Sequence, residues 1–252
     1  VDSEMKKNMV GLIGAMLVLC TSKVMAGNTE EINNGNTGLI LSDVESDETQ
    51  LEKLQGYKKY IAQEKLKMSY EIENGLYNNY ARSSWAEVAG FTIERQSNKY
   101  CCVAACCSAI VNYYTGAYVT DLAIAESFGG ATAGATLQQA ANYLNSFNGI
   151  GTTYVQGSAA TNKNTMLNIF YSDIQRFQSP LVISTKFTKG TNWPYTINAH
   201  SMCVYGINSE HTVVGIADPY VQYEVPGHSM KYTVTGDEAA SAVSSRGNGY
   251  LY

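Results

Sequence analysis

The chain has no surplus of basic residues: 17 Lys and Arg stand against 22 Asp and Glu, for a formal net charge of −5. Without a basic stripe to meet a phosphate backbone, nucleic acid is not expected as a partner. Long apolar runs are lacking too, since the stretch from Met9 to Leu19 falls well short of the roughly 20 residues that span hydrocarbon. Internal repeats and extended low-complexity tracts are absent, and 252 residues suffice for one well-cored domain with additional segments. Histidine is scarce: any chemistry that needs an imidazole must draw on His200, His211 or His228. Cysteine is missing from most of the chain, which excludes a small disulfide-stapled scaffold.

What is there is 45% hydrophobic and 15% charged, a globular composition. Near the start, Met5-Lys6-Lys7-Asn8 gives a basic opening, Met9 to Leu19 an apolar run, and Val24-Met25-Ala26 a small-residue cleavage site. That order predicts a signal peptide over residues 5–26, removed after Ala26. The protein is therefore expected to be secreted or cell-surface associated, with no stable membrane insertion once the signal is cleaved. Its 19 tyrosines suit an exported surface. Loss of the signal would leave Cys101, Cys102, Cys106, Cys107 and Cys203, an odd number, so at least one thiol stays unpaired in a monomer. A metal site would need a second Cys or His pair at ligand spacing, and none is visible.

Residues 27–38 are rich in Asn, Gly and Thr without periodicity, which reads as a flexible stretch. Ser42 with Glu45 has capping-box spacing, and Leu54, Tyr57, Ile61, Met68 and Ile72 recur at helical steps before Gly75. This predicts one amphipathic helix. Residues 27–88 thus form a flexible stretch plus helix that is a propeptide, a spacer or an arm packed on the main domain, which is expected over 89–252. Phe91-Thr92-Ile93 suits a short strand. Helices are predicted over 102–114, ended by Gly116, and over 120–127, 136–147 and 164–177. Strands follow over 181–185, 201–207 and 212–217, the last two flanking the turn Asn208-Ser209-Glu210. A helical first half and an antiparallel, strand-rich second half indicate an α+β domain.

A thiol attacks only as thiolate, and a helix N-terminus favours negative charge through its unpaired N–H groups. Cys102 opens the helix expected over 102–114. Gln96 lies six residues upstream, close enough for its amide and the Cys102 N–H to meet one carbonyl oxygen. His200 opens a strand and can project into a cleft, whereas His211 sits in the hairpin turn and His228 follows Pro226-Gly227. Asp218 ends the strand paired with that of His200, where its carboxylate would orient the imidazole. Taken singly, Cys102 is also readable as a small buried hydrophobe, His200 as a core histidine, Asp218 as an Asp-Pro turn former and Gln96 as a surface residue. Trp193-Pro194-Tyr195, just before His200, is either a substrate-facing loop or ordinary packing.

Gln96, the five residues after it, and Cys102 through Tyr114 resemble the nucleophile region of the bacteriocin-processing-like cysteine peptidases, peptidase family C-39. Ala199-His200-Ser201-Met202-Cys203-Val204-Tyr205-Gly206-Ile207 resembles that family's histidine strand, and Val213-Val214-Gly215-Ile216-Ala217-Asp218-Pro219 its closing strand and Asp-Pro turn. These segments cover nearly all of residues 90–252. The one departure is Val103, where the family usually has glycine. The resemblance implies a papain-like α+β fold and thioester chemistry on a peptide or protein substrate without a cofactor. It gives Cys102, His200, Asp218 and Gln96 the nucleophile, base, orienting and oxyanion roles. An acyl transferase, or an inactive binding module of the same fold, would share these residues.

Overall fold

The computed structural model describes residues 37–77 and 84–252. The expected signal peptide and all but the end of the flexible stretch lie outside the described residues. Eight helices and seven strands are present among the described residues. In chain order they are α1 (Asp47–Glu52), α2 (Gly56–Glu73), β1 (Trp85–Glu87), α3 (Cys102–Thr115), α4 (Asp121–Ser127) and α5 (Leu137–Ser146). Then come β2 (Gln156–Gly157), α6 (Lys163–Phe177), β3 (Leu181–Phe187), β4 (Ile197–Asn208), β5 (Val213–Ala217), α7 (Val221–Glu224), β6 (Lys231–Thr235), α8 (Gly236–Arg246) and β7 (Tyr250–Leu251). No helix among the described residues is long and apolar enough to cross a membrane.

The strands form one antiparallel sheet in the order β2-β7-β3-β4-β5-β6, with β1 added beside the end of β4. The α+β expectation holds, because the first half supplies α3, α4 and α5 and the second half supplies the sheet. Helix α3 packs on β4 and also touches α4 and α5, so it stands between the helical half and the sheet. Its small-then-apolar sequence explains that place. Residues 102–107 and 109–111 are buried around the whole helix, the signature of a core helix and not of a surface one. Ile110 and Val111, both fully buried, contribute roughly 1.5–3 kcal/mol apiece. Gly116 ends α3 in a left-handed conformation at φ 67°, its N–H returning to the Asn112 carbonyl.

Several expectations need correction. The single N-terminal helix is two, and its cap is not Ser42: Ser46 caps α1 by accepting from the Thr49 N–H at 3.3 Å, while α2 starts after an extended Gln55. Residues 91–93 are not a strand. Phe91 and Ile93 are buried, but the Phe91 N–H bonds back to Val88 in a turn, and the strand in this region is β1. The strands β2, β6 and β7, together with α8, went unread in the sequence. Thr136, inside the expected helix, is instead the N-cap of α5 in a full capping box with Gln139. Val103, which stands where the resemblance leads one to expect glycine, is 1% exposed and packs in the core.

Candidate active site

Cys102 is the first residue of α3, and the residue before it, Cys101, gives the helix no side-chain cap. The first-turn N–H groups therefore lack the usual side-chain acceptor and are oriented toward the thiol end of the helix. Facing them is β4. In the β4–β5 ladder Cys203 pairs with Ala217; continuing that register one step sets Asp218 opposite Met202 and puts it on the same face of the sheet as His200. Diagonal neighbours on one face are within reach of long side chains. His200 Nε2 lies 2.8 Å from Asp218 Oδ1, with both side chains fully buried. The Cys102 side chain is close enough to the imidazole to act on it electrostatically.

Asp218 is surrounded by donors. Oδ1 accepts from His200 and from the Tyr220 N–H at 2.8 Å, and Oδ2 accepts from the hydroxyls of Tyr195 at 2.7 Å and Tyr232 at 2.8 Å. Burial alone would push this carboxyl up; the His200 charge and hydrogen bond, helped by Tyr195 and the Tyr220 N–H, reverse that and hold it below the usual range. Burial likewise pulls His200 down, but Asp218 first and then Cys102 raise it to about 9. The arrangement favours a protonated imidazole beside the thiol. The rings of Tyr195 and Tyr220 flank the imidazole at 6.5 and 5.7 Å between centroids.

Gln96 is buried, and its amide Nε2 donates to the Asn98 carbonyl at 2.6 Å. An amide nitrogen carries two hydrogens, so one donor remains. The Gln96 backbone is pinned by the Pro219 carbonyl at 3.0 Å and by the Tyr223 hydroxyl at 2.9 Å. The loop after Asp218 thereby fixes the loop before Cys102. The neighbouring thiols are set apart. Cys101, Cys102, Cys106, Cys107 and Cys203 are all free and buried. Burial, then the Asp121 charge, pushes Cys101 up to about 11, and burial, with Cys203 nearby, pushes Cys106 and Cys107 well up.

Neither His211 nor His228 bonds to Cys102, His200 or Asp218, although the His228 ring lies 5.4 Å from that of Tyr232. His211 contacts the Tyr171 ring and burial lowers it, while the His228 Nδ1 faces the Ser229 carbonyl at 2.8 Å. Trp193 and Tyr195 are 4% exposed each, so the Trp-Pro-Tyr loop is packed into the protein, with the Tyr195 ring beside His200. The residues unread in the sequence are Tyr195, Tyr232 and Tyr220 as partners of Asp218. The sequence signals for them were Tyr195's nearness to His200 and Tyr220's place two residues after the turn former Asp218.

No family model and no curated protein sequence matches the chain. Among solved structures the fold is similar to xylellain, a cysteine protease from Xylella fastidiosa. The TM-score is 0.53 at 9% identity, over 88% of this chain and 98% of that one. A C-39-like peptidase from Bacillus anthracis aligns at TM-score 0.47 and 15% identity, over 67% and 96% of the two chains. The peptidase domain of the Streptococcus transporter ComA aligns at 0.42 and 16%, over 64% and 95%. It is the xylellain likeness, extending over nearly all of both chains, that carries the assignment. The chain has the papain-like cysteine-peptidase fold.

Proposed function

We propose that the chain is a secreted cysteine peptidase that hydrolyses peptide bonds through a thioester on Cys102. The observation that carries this reading is the buried His200–Asp218 pair beside Cys102, which opens α3 at its uncapped N-terminus where that helix packs on β4. The Cys102 thiolate attacks the scissile carbonyl carbon, and the π electrons move onto the carbonyl oxygen. The Cys102 N–H and the spare Gln96 amide hydrogen receive that oxyanion. As the carbon–nitrogen bond breaks, the imidazolium of His200 protonates the leaving amine. Neutral His200 then takes a proton from water, whose oxygen displaces the thiolate and releases the acid. Asp218 keeps the imidazole oriented throughout. The Met5 to Ala26 pattern supports secretion.

The test is N-terminal profiling of a peptide library with the wild type and with Cys102→Ala. New N-termini are expected only with the wild type. Cleavage that survives in Cys102→Ala would overturn the nucleophile, amine incorporation in place of new N-termini would mark an acyl transferase, and neither product would leave an inactive binding module.

A further inference from the structure

The imidazole of His200 has two tyrosine neighbours, and one of them leads outward. Tyr195 is packed into the protein, whereas Tyr220 is half-buried. From Tyr220 the aromatic surface continues. Its ring stacks on that of Tyr223 at 5.1 Å with 19° between the planes, and the Arg95 guanidinium lies 3.9 Å from the centre of the Tyr223 ring. His200, Tyr220, Tyr223 and Arg95 thus form one series of contacts running from a buried imidazole to an exposed cation.

A contact through the face of a guanidinium spends none of its five N–H donors. No carboxylate or carbonyl takes those of Arg95 among the described residues. The acidic groups around it are engaged elsewhere. Glu94 Oε2 accepts from the Tyr118 hydroxyl and Glu224 Oε1 from the Tyr220 hydroxyl, each at 3.0 Å. Both Asp121 oxygens accept from Ser97, at 2.6 Å from its N–H and 2.5 Å from its hydroxyl. Arg95 and Ser97 are exposed while Gln96 between them is buried. A cleft of about 350 Å³ opens beside this loop, lined by Arg95, Ser97, Ala105, Tyr118, Asp121 and Leu122.

We propose that these rings and the cleft receive the leaving side of the substrate, and that Arg95 selects a carboxylate there. The inference rests on the peptidase reading of the site and names its substrate class: peptides whose leaving fragment is acidic. In that reaction the imidazolium gives its proton to the departing amine, so the leaving fragment lies on the open side of His200, where Tyr220 is the surface it meets. Spacings of 5.7, 5.1 and 3.9 Å carry the contacts from the imidazole to the guanidinium. An extended chain advances roughly 3.3 Å per residue, so the carboxylate falls within about four residues of the cleaved bond. A planar fork with unspent donors matches a carboxylate bidentately, and its packing on Tyr223 holds it ready. An acidic side chain and the free C-terminus of a short leaving fragment offer the same chemistry.

The test uses labelled peptides with a common acyl side and a short leaving fragment that ends in amidated Glu, in amidated Gln, or in Ala with a free carboxylate. Hydrolysis is followed with the full chain, Arg95→Gln and Arg95→Glu, and equilibrium binding of the same peptides with Cys102→Ala, alone and combined with Arg95→Gln. Arg95 is exposed, so its replacement leaves the fold intact. A carboxylate is expected to raise kcat/KM and affinity about tenfold over the Gln peptide, and the better of the two acidic peptides identifies its source. Arg95→Gln should bring that ratio to about one, and Arg95→Glu should reverse it. Equal handling of all three peptides by the wild-type chain, or a preference that survives Arg95→Gln, would overturn the inference. Carboxylate-dependent binding that is lost with Arg95, together with no hydrolysis of any peptide, would uphold the Arg95 site and overturn the peptidase reading instead.

Discussion

Asp218 accepts four hydrogen bonds, and the state of the imidazole depends on them. Removing a hydroxyl in Tyr195→Phe or Tyr232→Phe deletes a bond to a charged group, with a loss of about 1.5–3 kcal/mol of stability. It also lets the carboxyl rise, which lowers His200. The alkaline limb of the kcat/KM profile, expected near pH 9 from His200, should move to lower pH in both variants and furthest in the double variant. The sign for stability is fixed by the same pair. His200 is raised from 6.5, so its contribution is full below pH 6.5 and fades as pH climbs through about 9. Asp218 is lowered from 3.8, so its contribution is present above that value and fades as pH falls through its depressed value. Thermal midpoints should therefore fall between pH 6.5 and 9 in the wild type and fall less in Asp218→Asn. For Gln96→Ala, loss of one oxyanion donor should lower kcat by about 10²–10³-fold with little change in KM. At this scale the helix start at Cys102 and the pairing of His200 with Asp218 could be read in sequence, because helix start and strand register are local patterns. The tyrosines could not, since a hydroxyl's partner is decided by how distant loops meet.

Among the elements, α2 shows how a readable pattern can hide its most consequential residue. Its apolar positions recur at helical spacing, and Lys65 falls on the same face as Ile61 and Met68. Lysine is almost never fully buried unless paired, so the face was readable but the burial was not. Its ammonium lies over the rings of Tyr154 and Phe177 and pairs with Asp173 of α6. Burial lowers Lys65, and Asp173 opposes that shift. Lys65→Met alone would strand the Asp173 charge and should destabilise by about 3–5 kcal/mol in a denaturant titration. Lys65→Met with Asp173→Leu should lose far less. The element boundaries of α3, α4 and α6 were close to the sequence pattern because Gly116, Thr120 and Asn162 mark them chemically.

For the whole molecule, the helical half delivers one helix end and the sheet delivers one strand face, and the site is where they touch. The two-residue strands β2 and β7 stayed hidden in the sequence because so few residues show no alternation; only pairing across the sheet defines them. The order at residues 37–40 was hidden for a related reason. Thr37 and Gly38 end an Asn-, Gly- and Thr-rich stretch that has no period, and their place is set by main-chain bonds to the distant Ala199 and Ala135. The crowded thiols resolve at this scale too. Burial raises Cys101, Cys106 and Cys107, so at neutral pH a thiol reagent should modify Cys102 in preference to these three, as peptide mapping would report. The most direct measurement is acid-quenched single turnover with a cleaved peptide, followed by mass mapping of the enzyme. The expected result is an acyl adduct on the fragment bearing Cys102, absent in Cys102→Ala along with cleavage. An adduct elsewhere, or cleavage undiminished in Cys102→Ala, would contradict the account.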